Sequence, residues 1–116
     1  MSLSKIRVGL VTTLLLIFGA FVNTSFAVDL PTFKLELKDG VLNPVRLEVP
    51  AGQRIKIERR NTGKSAAEFE SVQLRKEKVL GPGAESFVVL APLSPGEYKF
   101  FDDFHMSTAQ GVIVAK

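Results

Sequence analysis

The chain has one histidine, His105, set in the run Phe101-Asp102-Asp103-Phe104-His105-Met106. Two carboxylates and a thioether therefore lie within three positions of an imidazole. Neutral imidazole ligates copper, zinc and iron alike, whereas carboxylates favour hard or highly oxidised ions. Glu68 and Glu70 add two more carboxylates upstream, next to the basic run Arg75-Lys76-Glu77-Lys78. No cysteine occurs, which excludes thiolate metal centres and disulfide staples. Serines are present without a G-x-S-x-G elbow, and Gly81-Pro82-Gly83 lacks the lysine and following helix of a phosphate loop. The chemistry on offer is metal ligation by nitrogen and oxygen.

Strand parity orients these groups. In Gly96-Glu97-Tyr98-Lys99-Phe100-Phe101-Asp102, large aromatics at Tyr98 and Phe100 belong in a core. Asp102 then shares their face, and Phe101 and Asp103 take the other. A carboxylate on a core face is costly unless it is paired, hydrogen-bonded or bound to metal. Asp103 reads as a solvated loop residue or as a partner orienting His105.

The elements that must hold these groups are strands. Phe33 to Leu37, Val45 to Val49 and Arg54 to Glu58 alternate apolar and charged residues, the period of a half-buried strand. Further strands are expected at Phe69 to Leu74, Glu85 to Leu90, Glu97 to Phe101 and Val112 to Ala115. Turn signals separate them at Asp39-Gly40, Pro50-Ala51-Gly52, Asn61-Thr62-Gly63, Gly81-Pro82-Gly83 and Ser94-Pro95-Gly96. About seven or eight strands at this spacing predict an all-β antiparallel sandwich. If the segment around Glu68 is extended, Glu70 shares its face.

Residues 1–27 carry the marks of an export signal: basic Lys5 and Arg7, an apolar run from Val8 to Val22, and Ser25-Phe26-Ala27 as a cleavage motif. The run is shorter than the roughly 20 apolar residues of a membrane span. The expected mature domain is 28–116, in the periplasm, with no stable membrane insertion. Losing Lys5 and Arg7 takes the formal net charge from +3 to +1. Acids are interleaved with the remaining basic residues, so there is no nucleic-acid footprint.

Three stretches carry a family resemblance: Leu47-Glu48-Val49-Pro50-Ala51-Gly52-Gln53-Arg54-Ile55-Lys56-Ile57 ending in Asn61, Gly81 to Tyr98, and the closing Gly96 to Val114. Together they resemble the cupredoxins, whose closing loop reads G-x-Y-x-F-x-C-x-x-H before a last strand. The resemblance implies a Greek-key sandwich with a metal site. It places Asp102 at the cysteine position, His105 at the histidine, and Glu68 at the other histidine, seven residues past Asn61. No thioether occupies the axial methionine's place, and Met106 stands beside His105 in reserve with Glu70 and Asp103. A narrower likeness, through Glu68-Phe69-Glu70-Ser71, Phe101 to His105 and Thr108-Ala109-Gln110-Gly111, is to the EfeO-type cupredoxin-like proteins associated with ferrous-iron permeases. That implies periplasmic handling of iron, with copper as a possible oxidant. The chain would serve a membrane iron permease complex as a metal carrier, or as an Fe(II)-oxidising partner with ferroxidase-type activity. The alternatives are a periplasmic copper chaperone or electron carrier, and an interaction module without metal.

The leader reading has a direct check. Protein recovered from the cell envelope should give an intact mass that starts at Val28; a mass retaining residues 1–27 would make that segment an anchor.

Overall fold

The computed structural model of the protein describes residues 29–116, so the expected leader lies outside the described residues. Nine strands follow one another: β1 Thr32–Lys38, β2 Val41–Asn43, β3 Arg46–Val49, β4 Ile55–Asn61, β5 Ala67–Ser71, β6 Lys76–Leu80, β7 Glu85–Leu90, β8 Gly96–Asp102 and β9 Gln110–Ala115. A 3-10 turn, Asp103–His105, links β8 to β9. The strands form a four-stranded sheet in the order β2-β1-β4-β7 and a five-stranded sheet in the order β3-β9-β8-β5-β6. No helix among the described residues is long and apolar enough to cross a membrane.

The alternating runs become half-buried strands for the expected reason. Leu35 and Leu37 of β1 and Ile55 and Ile57 of β4 point inward from one sheet; Phe69, Phe100 and Ile113 point inward from the other. Phe69 and Phe100 stack across β5 and β8 with ring centroids 5.6 Å apart. Asn61, fully buried, closes the end of β4. Its Nδ2 donates to the carbonyls of Ser65 and Leu80, and its Oδ1 accepts from the Gly63 amide.

The all-β sandwich is as expected, with four differences of detail. Most strand pairs are antiparallel, but β1–β4 and β3–β9 run parallel. Alternation records which face of a strand is buried and carries no information on its direction. The strand expected at Phe69 to Leu74 ends at Ser71, where a turn with Arg75 at φ 55° reverses the chain into β6. Strand β6 was not anticipated, because it is an edge strand that buries only Leu80 and is otherwise charged or exposed. Edge strands are shielded by charge, which removes the hydropathy signal. Short β2 was missed likewise, with Leu42 its only buried residue.

Gly111 sets the spacing of β8 and β9. Phe100 lies opposite it, and a Cβ there would stand 2.6 Å from Phe100 Cζ and 2.7 Å from the Val45 carbonyl oxygen. Neither the ring nor that backbone can retreat from a packed core. Gly111→Ala should cost about 1–3 kcal/mol, read as a lower midpoint in urea unfolding.

Candidate metal centre

Parity delivers Asp102 to the core side of β8, as expected, where it is 1% exposed. Every lone pair it needs to satisfy finds a donor. Oδ1 accepts from the Glu68 amide at 2.9 Å and the Phe104 amide at 3.0 Å; Oδ2 lies 2.7 Å from His105 Nδ1. An acceptor-only carboxylate assigns the Nδ1 proton to His105. Asp102 therefore ties β8 to β5, caps the 3-10 turn and fixes the imidazole plane.

The far side of the ring faces a second carboxylate across Ser65. His105 Nε2 is 3.4 Å from Ser65 Oγ, whose hydroxyl donates to Asp39 Oδ1 at 2.7 Å. Asp39 Oδ1 also accepts the Lys64 and Ser65 amides, each at 2.9 Å. These bonds, the Ser65 hydroxyl first, hold the Asp39 carboxyl below its ordinary range. Gly40 backs onto His105, and Thr108 Oγ1 donates to the Gly40 carbonyl at 2.7 Å. Sequence reasoning missed Asp39 and Ser65. The Asp39-Gly40 pair registered only as a turn, and nothing local marks a turn that closes on a histidine 66 residues away.

The other carboxylates meet on the opposite face. Along β5, Ala67, Phe69 and Ser71 point inward while Glu68 and Glu70 are only half-buried. Oxygen atoms of Glu68, Glu70 and Asp103 lie within 4.8 Å of one another. Glu77 stands directly across from Glu70 on β6. Among the described residues none of these four is in an ion pair. Partial burial, followed by Asp103, Glu77 and Asp102, pushes the Glu68 carboxyl up. Glu70 is pushed up by partial burial, then Asp103 and Glu77. Like charges directly opposite across a ladder repel, so the apo face is under electrostatic stress.

The expected set is thus divided into two groups. Asp102 and His105 bond to each other inside the loop; Glu68, Glu70 and Asp103 converge outside it. Met106, 46% exposed, joins neither group and borders a groove with Phe101 and Val72. A thiolate copper centre does not fit these residues. There is no cysteine, and donors held 2.7 Å apart by their own hydrogen bond are used on each other. Oxygen ligands within one ion's reach and without a cation do fit a hard metal ion.

The comparisons with known proteins agree with this architecture. The profile of a family described as Cupredoxin-like domain matches residues 10–115. A protein of Rickettsia prowazekii (strain Madrid E), described as uncharacterized, is 41% identical over 81 residues, which are 70% of this chain and 65% of that protein. The chain thus matches just under two thirds of that relative's length. Reduced auracyanin from Roseiflexus castenholzii superposes with a TM-score of 0.63 at 17% identity, over 73% of this chain and 96% of that one. The metal-binding domain of the Cu(I)-exporting P-type ATPase CopA of Streptococcus pneumoniae, in complex with Cu(I), gives 0.63 at 16% identity, over 79% and 91%. At these identities the likeness to solved structures is one of fold.

The crowded carboxylates make a pH prediction. Glu68 and Glu70 hold protons more tightly folded than unfolded. The stability they contribute is complete below the ordinary value of 4.5 and is lost as pH rises through their raised folded values. Glu70→Gln should therefore raise the metal-free protein's melting temperature at neutral pH and flatten its rise on mild acidification; an unchanged pH profile would show that the carboxylates do not interact.

Proposed function

The chain belongs to the cupredoxin-like domain family, and from that premise we propose that it is a periplasmic carrier of iron that binds the ion through oxygen ligands and serves a membrane iron permease. The observation that carries this reading is the convergence of Glu68, Glu70 and Asp103 within 4.8 Å, with no cation paired to any of them among the described residues. Hard carboxylate oxygens suit iron, and particularly Fe(III), better than Cu(I). The narrower sequence likeness to iron-permease-associated proteins supports the choice of iron over other hard ions. Iron is cargo in this reading, so no turnover is required.

The inner pair has a supporting part. Asp102 accepts the Glu68 amide and caps the turn that carries Asp103, so one buried carboxylate positions two of the three outer ligands. His105 anchors Asp102 and the outer carboxylates hold the ion. A carrier built this way keeps its loop ordered without metal, because the hydrogen bonds within the loop are already made. A carboxylate-only site at the surface also releases its ion readily to a stronger acceptor.

Calorimetric titration of the metal-free protein with Fe(II) under argon, and with Mn(II) and Cu(II), tests the site. Fe(II) should bind with one-to-one stoichiometry. Glu68→Gln and Glu70→Gln should each weaken it by at least about ten-fold, a loss of roughly 1.4 kcal/mol. Parent-like binding by the double variant would overturn the ligand set. Deleting the gene should slow growth on low iron, with rescue by added iron; a copper phenotype without an iron phenotype would instead favour a copper carrier.

A further inference from the structure

Arg59 is 4% exposed and points into the sandwich from β4, yet no carboxylate pairs with it among the described residues. Its guanidinium lies 5.0 Å over the Phe69 ring. One nitrogen, Nη2, donates to Ser86 Oγ at 3.1 Å and to the Phe87 carbonyl at 3.2 Å; buried Nε has no partner among the described residues. Burial holds its pKa below the usual arginine range. An apolar side chain of the same volume would fill this place without a desolvated charge or an orphaned donor. Packing alone does not account for an arginine here.

The ladder explains what Arg59 reaches. Strand β7 is the last strand of the four-stranded sheet, so one of its edges has no neighbour among the described residues. The Asn61 amide donates to the Ala84 carbonyl, which sets the phase of the antiparallel β4–β7 pair. Closely bonded and open pairs alternate from there. Arg59 and Ser86 therefore form a bonded pair, and Glu58 and Phe87 an open one. The Phe87 amide and carbonyl consequently point away from β4, toward the free edge. Arg59 curls round from the inner face to cover that carbonyl. On the outer face, Lys56 Nζ sits 4.4 Å over the Phe87 ring. Two cations thus flank one exposed edge residue, itself 58% exposed.

We infer that Arg59 is a latch that closes the β7 edge against pairing with a second copy of this chain. The edge is otherwise well made for such pairing. Glu85-Ser86-Phe87-Val88-Val89-Leu90 is rich in β-branched and aromatic residues, and an open edge of this composition templates strand addition. Antiparallel self-pairing about Phe87 places Phe87 opposite Phe87 and Glu85 opposite Val89, with no like charges facing. What opposes it is the guanidinium lying against the Phe87 carbonyl, a cation that a partner strand would have to bury or expel. This assignment is independent of the metal reading.

Sedimentation velocity on Arg59→Met tests the latch. The parent should remain monomeric, whereas Arg59→Met should show mass rising toward twice the monomer with concentration. In hydrogen exchange, the Phe87 and Val89 amides of the variant should gain protection in the same concentration range. Proline at position 87 forfeits no ladder bond, since that amide faces outward, so Arg59→Met with Phe87→Pro should return to monomer. A folded Arg59→Met that stays monomeric, dimers with unprotected β7 amides, or a parent already paired through β7 would each overturn the inference. Should Arg59→Met fail to fold, Ser86→Ala decides, because it loosens the same latch with the core intact. Association through β7 supports the latch there, and a monomer at every concentration overturns it.

Discussion

The buried carboxylate of Asp102 is the constraint on which the functional end of the molecule depends. A charge 1% exposed to solvent is tolerable only if its acceptor capacity is filled. Here three donors from two segments, β5 and the 3-10 turn, occupy both of its oxygens: the Glu68 amide, the Phe104 amide and His105 Nδ1. The cost of burying the charge is offset only when β5 and the 3-10 turn are in place together. That requirement makes the loop geometry cooperative.

The two faces of β5 then separate two kinds of chemistry. Inward, Phe69 stacks on Phe100 and lies beside Asp102 in the β5–β8 register. Outward, Glu68 and Glu70 gather with Asp103 into a patch of unneutralised charge. One amide-to-carboxylate bond joins the two faces, because the residue whose backbone completes Asp102 carries one of the outer carboxylates. The position that resembles a soft-metal ligand holds a carboxylate whose oxygens are taken up by hydrogen bonds, and the unneutralised carboxylates lie one face outward. The same economy appears at the sandwich's open side, where Arg59 packs on Phe69 and covers an edge carbonyl of β7.

The alternating runs of β1, β3, β4 and β8 disclosed their strands and buried faces, because period two depends only on the pleat. Parity at Phe100 likewise placed Asp102 inward before any contact was known. Strands β2 and β6 escaped, since each buries a single residue and an edge strand has little hydropathy to show. Strand direction escaped too: a parallel neighbour such as β4 beside β1 leaves the same burial pattern as an antiparallel one.

The residue types at the site were legible in the sequence, and their grouping was not. Composition alone excluded a thiolate, and the spacing Asp102-x-x-His105 marked the loop where chemistry gathers. The convergence of Glu68 and Glu70 with Asp103, and the approach of Ser65 and Asp39 to His105, were decided by the tertiary structure. Sequence spacing reports which face of one strand a side chain takes. Which groups meet depends on the register between strands and on turns that close across tens of residues, and those are set only when the two sheets pack.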